Sequence, residues 1–320
     1  MSAAYPAQES ERDRWILARR GPRNRLDPRR PYAQVHEIEP DERLRPVPIS
    51  TIFLTNRECP WRCLMCDLWT NTLTEPVPEG AIPAQIAYAL PRLPPARWVK
   101  LYNSGSFFDP KAIPPGDYEE IAKILSGAER VIVESHPALV GNASVAFRDS
   151  LKGRLEVALG LETIHPEVLP RLNKRMTLEQ FRRAADFLGR EGIAVRAFVL
   201  VGLPFANERE GLDWACRSLD FAFDSGASVV SLIPTRLGNG ALEALAERGE
   251  FSTPLLSSLE EALVFGLAVK RGRVFADLWD LERLRRCGVC FERRKRRLED
   301  MNRTQAVLAR VSCAACGAGS

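Results

Sequence analysis

Between residues 49 and 233 short apolar runs alternate with stretches of helical period. The runs at 49–55, 98–102, 130–134, 155–161, 195–201 and 228–233 are rich in Val, Ile and Leu and read as strands. The stretches at 82–90, 118–125, 177–190 and 208–224 repeat their apolar residues on a helical period and read as helices, as does 251–266 further on. Strands with continuous apolar cores, separated by helices, predict an α/β fold with a parallel sheet covered by helices.

Directly after the first run comes Arg57-Glu-Cys-Pro-Trp-Arg-Cys-Leu-Met-Cys-Asp-Leu-Trp69, in which Cys59, Cys63 and Cys66 are spaced C-x3-C-x2-C. Three thiolates this close on a loop can hold three irons of a 4Fe-4S cubane and leave the fourth iron without a protein ligand. A structural zinc site wants four ligands, and His36 is too isolated in the sequence to supply the fourth. With 320 residues, 45% of them hydrophobic, the chain can bury a substantial core, and an α/β barrel of this length is normally one domain. Seven of the eight cysteines fall in metal-type clusters, which points to a reducing compartment; Cys216 reads as a buried helix residue. The N-terminus is polar with no apolar leader, and no segment has the length needed to cross a bilayer, so the expected location is the cytoplasm.

On the strength of the cysteine loop and its preceding strand, the chain resembles the radical S-adenosylmethionine enzymes. The resemblance implies a partial (β/α)6 barrel of the TIM type, and six predicted strands match it. It also implies that the open iron chelates the amino and carboxylate groups of S-adenosylmethionine, and that the reduced cluster cleaves the sulfonium to a 5'-deoxyadenosyl radical. Met65 stands where an aromatic is more usual, and its thioether can pack on the adenine. Ligands of such barrels collect at the C-terminal ends of the strands, so the residues there are the expected contacts. Ser104-Gly-Ser106 follows the second strand where the family carries a Gly-Gly-Glu stretch; Ser104 and Gly105 offer carbonyls to the ammonium and Ser106 a hydroxyl, while a plain turn is the alternative for Gly105. Glu134 ends the third strand. Glu162 follows the fourth, to accept from ribose hydroxyls or else to pair with Lys174 or Arg175. Arg196 lies on the fifth strand of the six, and Gly202-Leu-Pro204 after it resembles the segment that lies along the adenine, although a strand-ending turn reads the same way. His36, His136 and His165 read as capping or packing residues. The strings 56–69 and 100–110 look most similar to the elongator-like branch and to the radical enzyme that completes archaeosine in tRNA, which implies cleavage of a carbon–nitrogen bond on a lysine-bearing deazaguanine.

Cys287-Gly-Val-Cys290 and Cys313-Ala-Ala-Cys316 form two further C-x2-C pairs, suited to a zinc ion or to an auxiliary 4Fe-4S cluster. Between them lies Arg293-Arg-Lys-Arg-Arg297, and eight arginines fall between Arg12 and Arg30, in a chain whose net charge is only +4. Such basic segments suit a polyanion such as tRNA, or serve only as solvated arms. The chain therefore divides into an Arg-rich extension (1–47), a barrel (48–236), a helical connection (237–286) and a small cysteine-rich metal-binding lobe (287–320). The expected activity is radical modification of a tRNA nucleoside, with flavodoxin or ferredoxin as electron donor. A radical enzyme acting on a peptide or small molecule with an auxiliary cluster is one alternative, and a non-catalytic iron–sulfur RNA-binding protein is another.

Overall fold

The computed structural model describes residues 4–317. Eight strands form one sheet in chain order: β1 (Ala33–Pro40), β2 (Pro46–Phe53), β3 (Trp98–Tyr102), β4 (Arg130–Ser135), β5 (Arg154–Glu162), β6 (Ala194–Val201), β7 (Val229–Pro234) and β8 (Arg273–Ala276). β1 runs antiparallel to β2, and every other neighbouring pair is parallel. The six strands read from the sequence are β2 to β7, and the sheet continues beyond residues 48–236 on both sides. Helices α1 (Glu9–Leu17), α2 (Ala81–Ala89), α3 (Tyr118–Ile124), α4 (Asn142–Ser150), α5 (Val168–Arg171), α6 (Leu178–Arg190), α7 (Glu208–Asp224), α8 (Ala241–Ala246), α9 (Leu256–Ala268) and α10 (Phe291–Thr304) complete the order. α6 starts where its sequence dictates, with Thr177 and Gln180 capping each other's backbone in a reciprocal box.

Strand alternation sorts the side chains of the curled sheet. Val99, Leu101, Val131, Val133, Leu155, Val157, Val195, Ala197, Val199, Val230 and Leu232 join one buried cluster with Ile86, Ile121, Phe181, Leu219 and Leu263 of the helices, so this is the outer face. The inner face is charged toward the strand starts. Arg196 of β6, 2% exposed, reaches Glu39 of β1 and Glu156 of β5, each at 2.8 Å. Lys100 of β3 pairs with Glu37 at 3.0 Å and with Glu39, and Arg130 of β4 meets Glu156 at 3.1 Å. Burial alone would push the Glu39 carboxyl up, yet Arg196 and Lys100 together hold it well below the usual carboxylate range. Arg196 is thus part of the barrel floor, third residue into its strand, and does not reach the strand-end mouth expected for it.

The two ends of the sheet approach each other. Arg273 at the start of β8 donates to the Pro40 carbonyl at the end of β1 at 2.8 Å. α10 packs against both strands, and its Asn302 and the C-cap residue Gln305 each donate to and accept from the backbone of β8, at Ala276 and Val274 respectively. Two side-chain amides therefore satisfy an edge that would otherwise present unpaired backbone groups.

Removing one member of a buried ion cluster strands its partners. Arg196→Met should lower unfolding free energy by about 3–5 kcal/mol in urea titrations, because Glu39 and Glu156 lose their shared cation. A loss below about 1 kcal/mol would show that the floor tolerates unpaired carboxylates.

Candidate active site

The cysteine loop leaves β2 and is pinned from two other strand ends. Leu64 N–H donates to the Leu172 carbonyl at 2.8 Å, Asn173 Nδ2 donates to the Arg62 carbonyl at 2.8 Å, and Asn239 Nδ2 donates to the Leu64 carbonyl at 2.7 Å. Residues 172–173 follow β5 and Asn239 follows β7, so three loops share one backbone framework. Behind the loop, Glu58 takes Arg20 at 2.6 Å, Arg62 at 3.2 Å and also Arg23. Cys59, Cys63 and Cys66 are half-buried, and burial pushes each thiol up to about 12. Loading a metal here displaces three protons that water alone would not take at neutral pH.

The strand ends close around these thiols. Gly105 lies against the loop, where a Cβ would sit in ordinary contact with the Cys59 Cβ at 3.4 Å. Ser104, at φ +53°, shares a hydrogen bond of 3.0 Å with Tyr32, and Ser106 Oγ accepts the His136 N–H at 2.8 Å. Glu134 accepts the Asn103 N–H at 2.6 Å and also those of Ser104 and Gly105, so it holds this turn from below. Burial raises its carboxyl, the three amides pull it back, and the balance lies at about 7.

On the opposite side Glu162 sits at φ +66° after a register shift in β5, and its Oε1 accepts from Lys174 at 2.8 Å. This is the pairing that stands as the alternative role for Glu162. Gly160 makes room for it, since a Cβ there would lie 2.3 Å from Glu162 Oε1 and 2.5 Å from Lys174 Nζ. Burial opposes the lysine charge, yet Glu162, with Cys63 and Cys59 beside it, keeps Lys174 above the usual lysine range. His136 stacks on Trp61 of the cysteine loop at 3.7 Å. Its Nδ1 accepts the Ala138 N–H, which leaves Nε2 to donate to the Lys174 carbonyl at 3.0 Å. Burial, with Lys174 nearby, lowers His136 to about 3, so the ring is neutral and structural. His165 likewise accepts the N–H groups of Glu167 and Val168.

Several buried polar atoms at this mouth have no partner among the described residues: Thr55 Oγ1 and Asn56 Oδ1 after β2, both amide atoms of Asn103 after β3, and Thr235 Oγ1 after β7. Buried groups of this kind are normally hydrogen-bonded, and a polar ligand at these strand ends would satisfy them. Met65 packs with Val168, Leu172, Leu200 and Leu203 at the same end. Gly202 lies at φ +84°, and Pro254 atoms fill the space over it at 2.7 Å, which fits the strand-ending turn that stands as its alternative reading. Packing and backbone conformation therefore require that glycine. The structure adds Lys174, Trp61, Tyr32, Asn173 and Asn239 to the site residues expected from the sequence. Lys174 and Asn173 had a signal in the Leu172-Asn-Lys-Arg-Met176 string, whereas Tyr32 meets Ser104 across 72 residues and had none.

At the other end of the chain Cys287, Cys290, Cys313 and Cys316 bring all four sulfurs within 4.8 Å of one another, with 4.0 Å between Cys287 and Cys313 and 3.7 Å between Cys290 and Cys316. Among the described residues the three barrel cysteines form no such group. Backbone N–H groups of Cys290 and Val289 lower Cys287 to about 6, while burial and its neighbours raise Cys290 to about 12. The basic segments are largely engaged internally. Arg294 and Arg297 both pair with Glu260 of α9, Lys295 with Glu282, and Arg12 donates to the Pro170 carbonyl. Arg14, Arg25, Arg29 and Arg296 remain exposed.

The raised carboxyl of Glu134 carries a sign for stability. Its folded value of about 7 lies above the 4.5 of an unperturbed glutamate, so its contribution is fully present below pH 4.5 and lost as pH rises through 7. Metal-free Glu134→Gln protein should lack this decline, which in the parent chain is on the order of 3 kcal/mol. Urea unfolding at pH 5 and pH 8 reads the difference; equal pH dependence of both proteins would contradict it.

No family model matches the chain. The archaeosine synthase subunit beta of Methanosarcina acetivorans is 30% identical over 226 residues, covering 67% of this chain and 65% of that protein. The archaeosine synthase subunit beta of Thermococcus kodakarensis is 29% identical over 213 residues, covering 63% of this chain and 65% of its own. The chain thus spans just under two thirds of the length of these relatives. Among solved structures, methylornithine synthase superposes with a TM-score of 0.50 at 15% identity, covering 71% of this chain and 65% of that one, a likeness of fold. The sequence relatives, the half-barrel sheet and the three-cysteine loop at its mouth agree: the chain resembles the archaeosine synthase beta subunits in sequence and the radical S-adenosylmethionine enzymes in fold.

Proposed function

We propose that this protein is a radical S-adenosylmethionine enzyme that modifies a nucleoside in tRNA, with archaeosine-type deazaguanine chemistry as the nearest precedent. The observation that carries the proposal is the mouth itself: three thiols on one pinned loop, faced by the Glu162–Lys174 pair and by buried polar atoms without partners among the described residues. Cys59, Cys63 and Cys66 are the ligands of a 4Fe-4S cluster. When bound, that cluster supplies the electron that cleaves S-adenosylmethionine to a carbon radical able to take a hydrogen atom from an unactivated position.

The chain's own groups do the holding. Lys174 occupies Glu162 Oε1, which leaves the second carboxylate oxygen to accept from ribose hydroxyls. The turn of Ser104, Gly105 and Ser106, fixed by Glu134, presents its backbone carbonyls to an ammonium. Met65 supplies an apolar flank for the adenine. At the C-terminal site we assign zinc. Four thiolates about 2.3 Å from one ion lie about 3.8 Å apart, and the sulfur separations of 3.7 and 4.0 Å fit that tetrahedron better than the wider edge of a cubane. RNA affinity then falls to the exposed arginines, because Arg294 and Arg297 staple the lobe to α9. A small electron-transfer protein of the flavodoxin or ferredoxin type is the assumed reductant.

Anaerobically reconstituted protein given dithionite should release 5'-deoxyadenosine, and Cys63→Ala should abolish the release. Incubation with tRNA followed by nucleoside mass analysis should show loss of a lysine-bearing deazaguanine; an unchanged nucleoside profile beside normal 5'-deoxyadenosine release would move the substrate elsewhere. Metal analysis should give about four irons and one zinc per chain, whereas about eight irons and no zinc would mean an auxiliary cluster. Joint replacement of Arg25, Arg29 and Arg296 by Gln should flatten the salt dependence of tRNA binding by about 0.7 to 0.9 for each phosphate no longer neutralised. An unchanged slope would clear these arginines of any role in holding RNA.

A further inference from the structure

Among the six tryptophans, Trp15, Trp69 and Trp98 are buried, Trp61 and Trp214 are half-buried, and Trp279 is 48% exposed. It rides on the segment that leaves β8, and that segment is fixed. Asp277 N–H donates to the Leu232 carbonyl at the end of β7 at 2.8 Å, Asp277 Oδ2 takes Arg236 at 2.8 Å, and Asp277 Oδ1 accepts the Trp279 N–H at 3.1 Å. Asp280 turns the chain at φ +49° immediately afterwards. The indole lies T-shaped to Phe53, 5.3 Å between centroids, at the last residue of β2 before the cysteine loop. Phe53 in turn contacts Tyr32 at 5.7 Å and Tyr102 at 6.2 Å, and Tyr102 contacts Phe198 across the lumen at 6.0 Å. Asp280 and Arg283, next along the segment, are electrostatic neighbours of Asp67, the residue after Cys66.

An oriented, half-open indole therefore stands at the rim of the mouth, at the end of a continuous aromatic wall, against the last residue of the strand that leads into the cysteine loop. The strand ends below it carry the unpartnered polar atoms of Thr55, Asn103 and Thr235, all 3% exposed or less. An aromatic face above unpaired donors and acceptors suits a planar heterocycle that has left its stack, with stacking on one face and hydrogen bonds on the edge. We propose that Trp279 is the stacking platform for the substrate base, and so a substrate-positioning residue. The proposal rests on the tRNA reading above.

Base–aromatic stacking removed by substitution with alanine corresponds to about a five- to hundredfold weaker complex. The test uses full-length reconstituted protein and two tRNAs, one carrying the deazaguanine base and one with an abasic site in its place. Trp279→Ala should remove the preference for the base-bearing tRNA while affinity for the other tRNA and iron content stay as they were. Trp279→Phe should keep most of the preference, since a ring remains. A preference that survives Trp279→Ala, or an equal loss on both RNAs, would overturn the proposal. Parent protein that does not distinguish the two RNAs would instead overturn the tRNA-base reading, and with it this role; the parent measurement alone separates that outcome from the first.

Discussion

The cysteine loop has no regular structure of its own, and it is held open by hydrogen bonds from elsewhere: Leu172 accepting from Leu64, Asn173 donating to Arg62, and Asn239 donating to Leu64. Everything that makes the mouth a site depends on that framework. The same string that supplies Leu172 and Asn173 supplies Lys174, which pairs with Glu162, and the Lys174 carbonyl accepts from His136, which stacks on Trp61 back in the loop. The circuit is closed, so a displaced loop would also displace the carboxylate expected to meet the cosubstrate. The N-terminal arm adds a brace from outside through Arg20 and Arg23 on Glu58.

Such a mouth needs a firm base, and the barrel provides it with charge in place of an apolar plug. Glu37 and Glu39 of β1 enter the lumen and neutralise Lys100 and Arg196, while Glu156 joins Arg196 to Arg130. Buried networks of this kind add little net stability over apolar packing, but they specify partners strictly. Here they fix which strand closes the sheet beside β2. With α10 bonded to the far edge at β8, the half-barrel is held at both margins.

The parts of the fold legible in the sequence are those whose physics is local. β2 to β7 carry continuous apolar cores, and α6 and α7 fall in the stretches of helical period at 177–190 and 208–224. β1 is hidden because its inward positions are Glu37 and Glu39, acids whose partners lie on strands 60 and more residues away. β8 has only four residues, and α4 is short and mostly polar. The gathering of Cys287, Cys290, Cys313 and Cys316 is legible from their C-x2-C spacing alone. Arg196 is expected at the mouth only because a strand assignment does not say how far along the strand a side chain stands, and its true partner Glu39 precedes it by 157 residues. The basic arms mislead for a related reason. Charge composition does not reveal that Glu58 and Glu260, remote in sequence, absorb Arg20, Arg23, Arg294 and Arg297.

In the proposed enzyme, three thiols at the barrel mouth would leave one iron of a cubane open to S-adenosylmethionine. Electron paramagnetic resonance of the dithionite-reduced protein tests it most directly, with S-adenosylmethionine carrying nitrogen-15 in its amino group. The account predicts a changed cluster signal and a nitrogen hyperfine coupling on adding the cosubstrate, both absent from Cys63→Ala. A cluster signal indifferent to the cosubstrate, with no coupling, would contradict it.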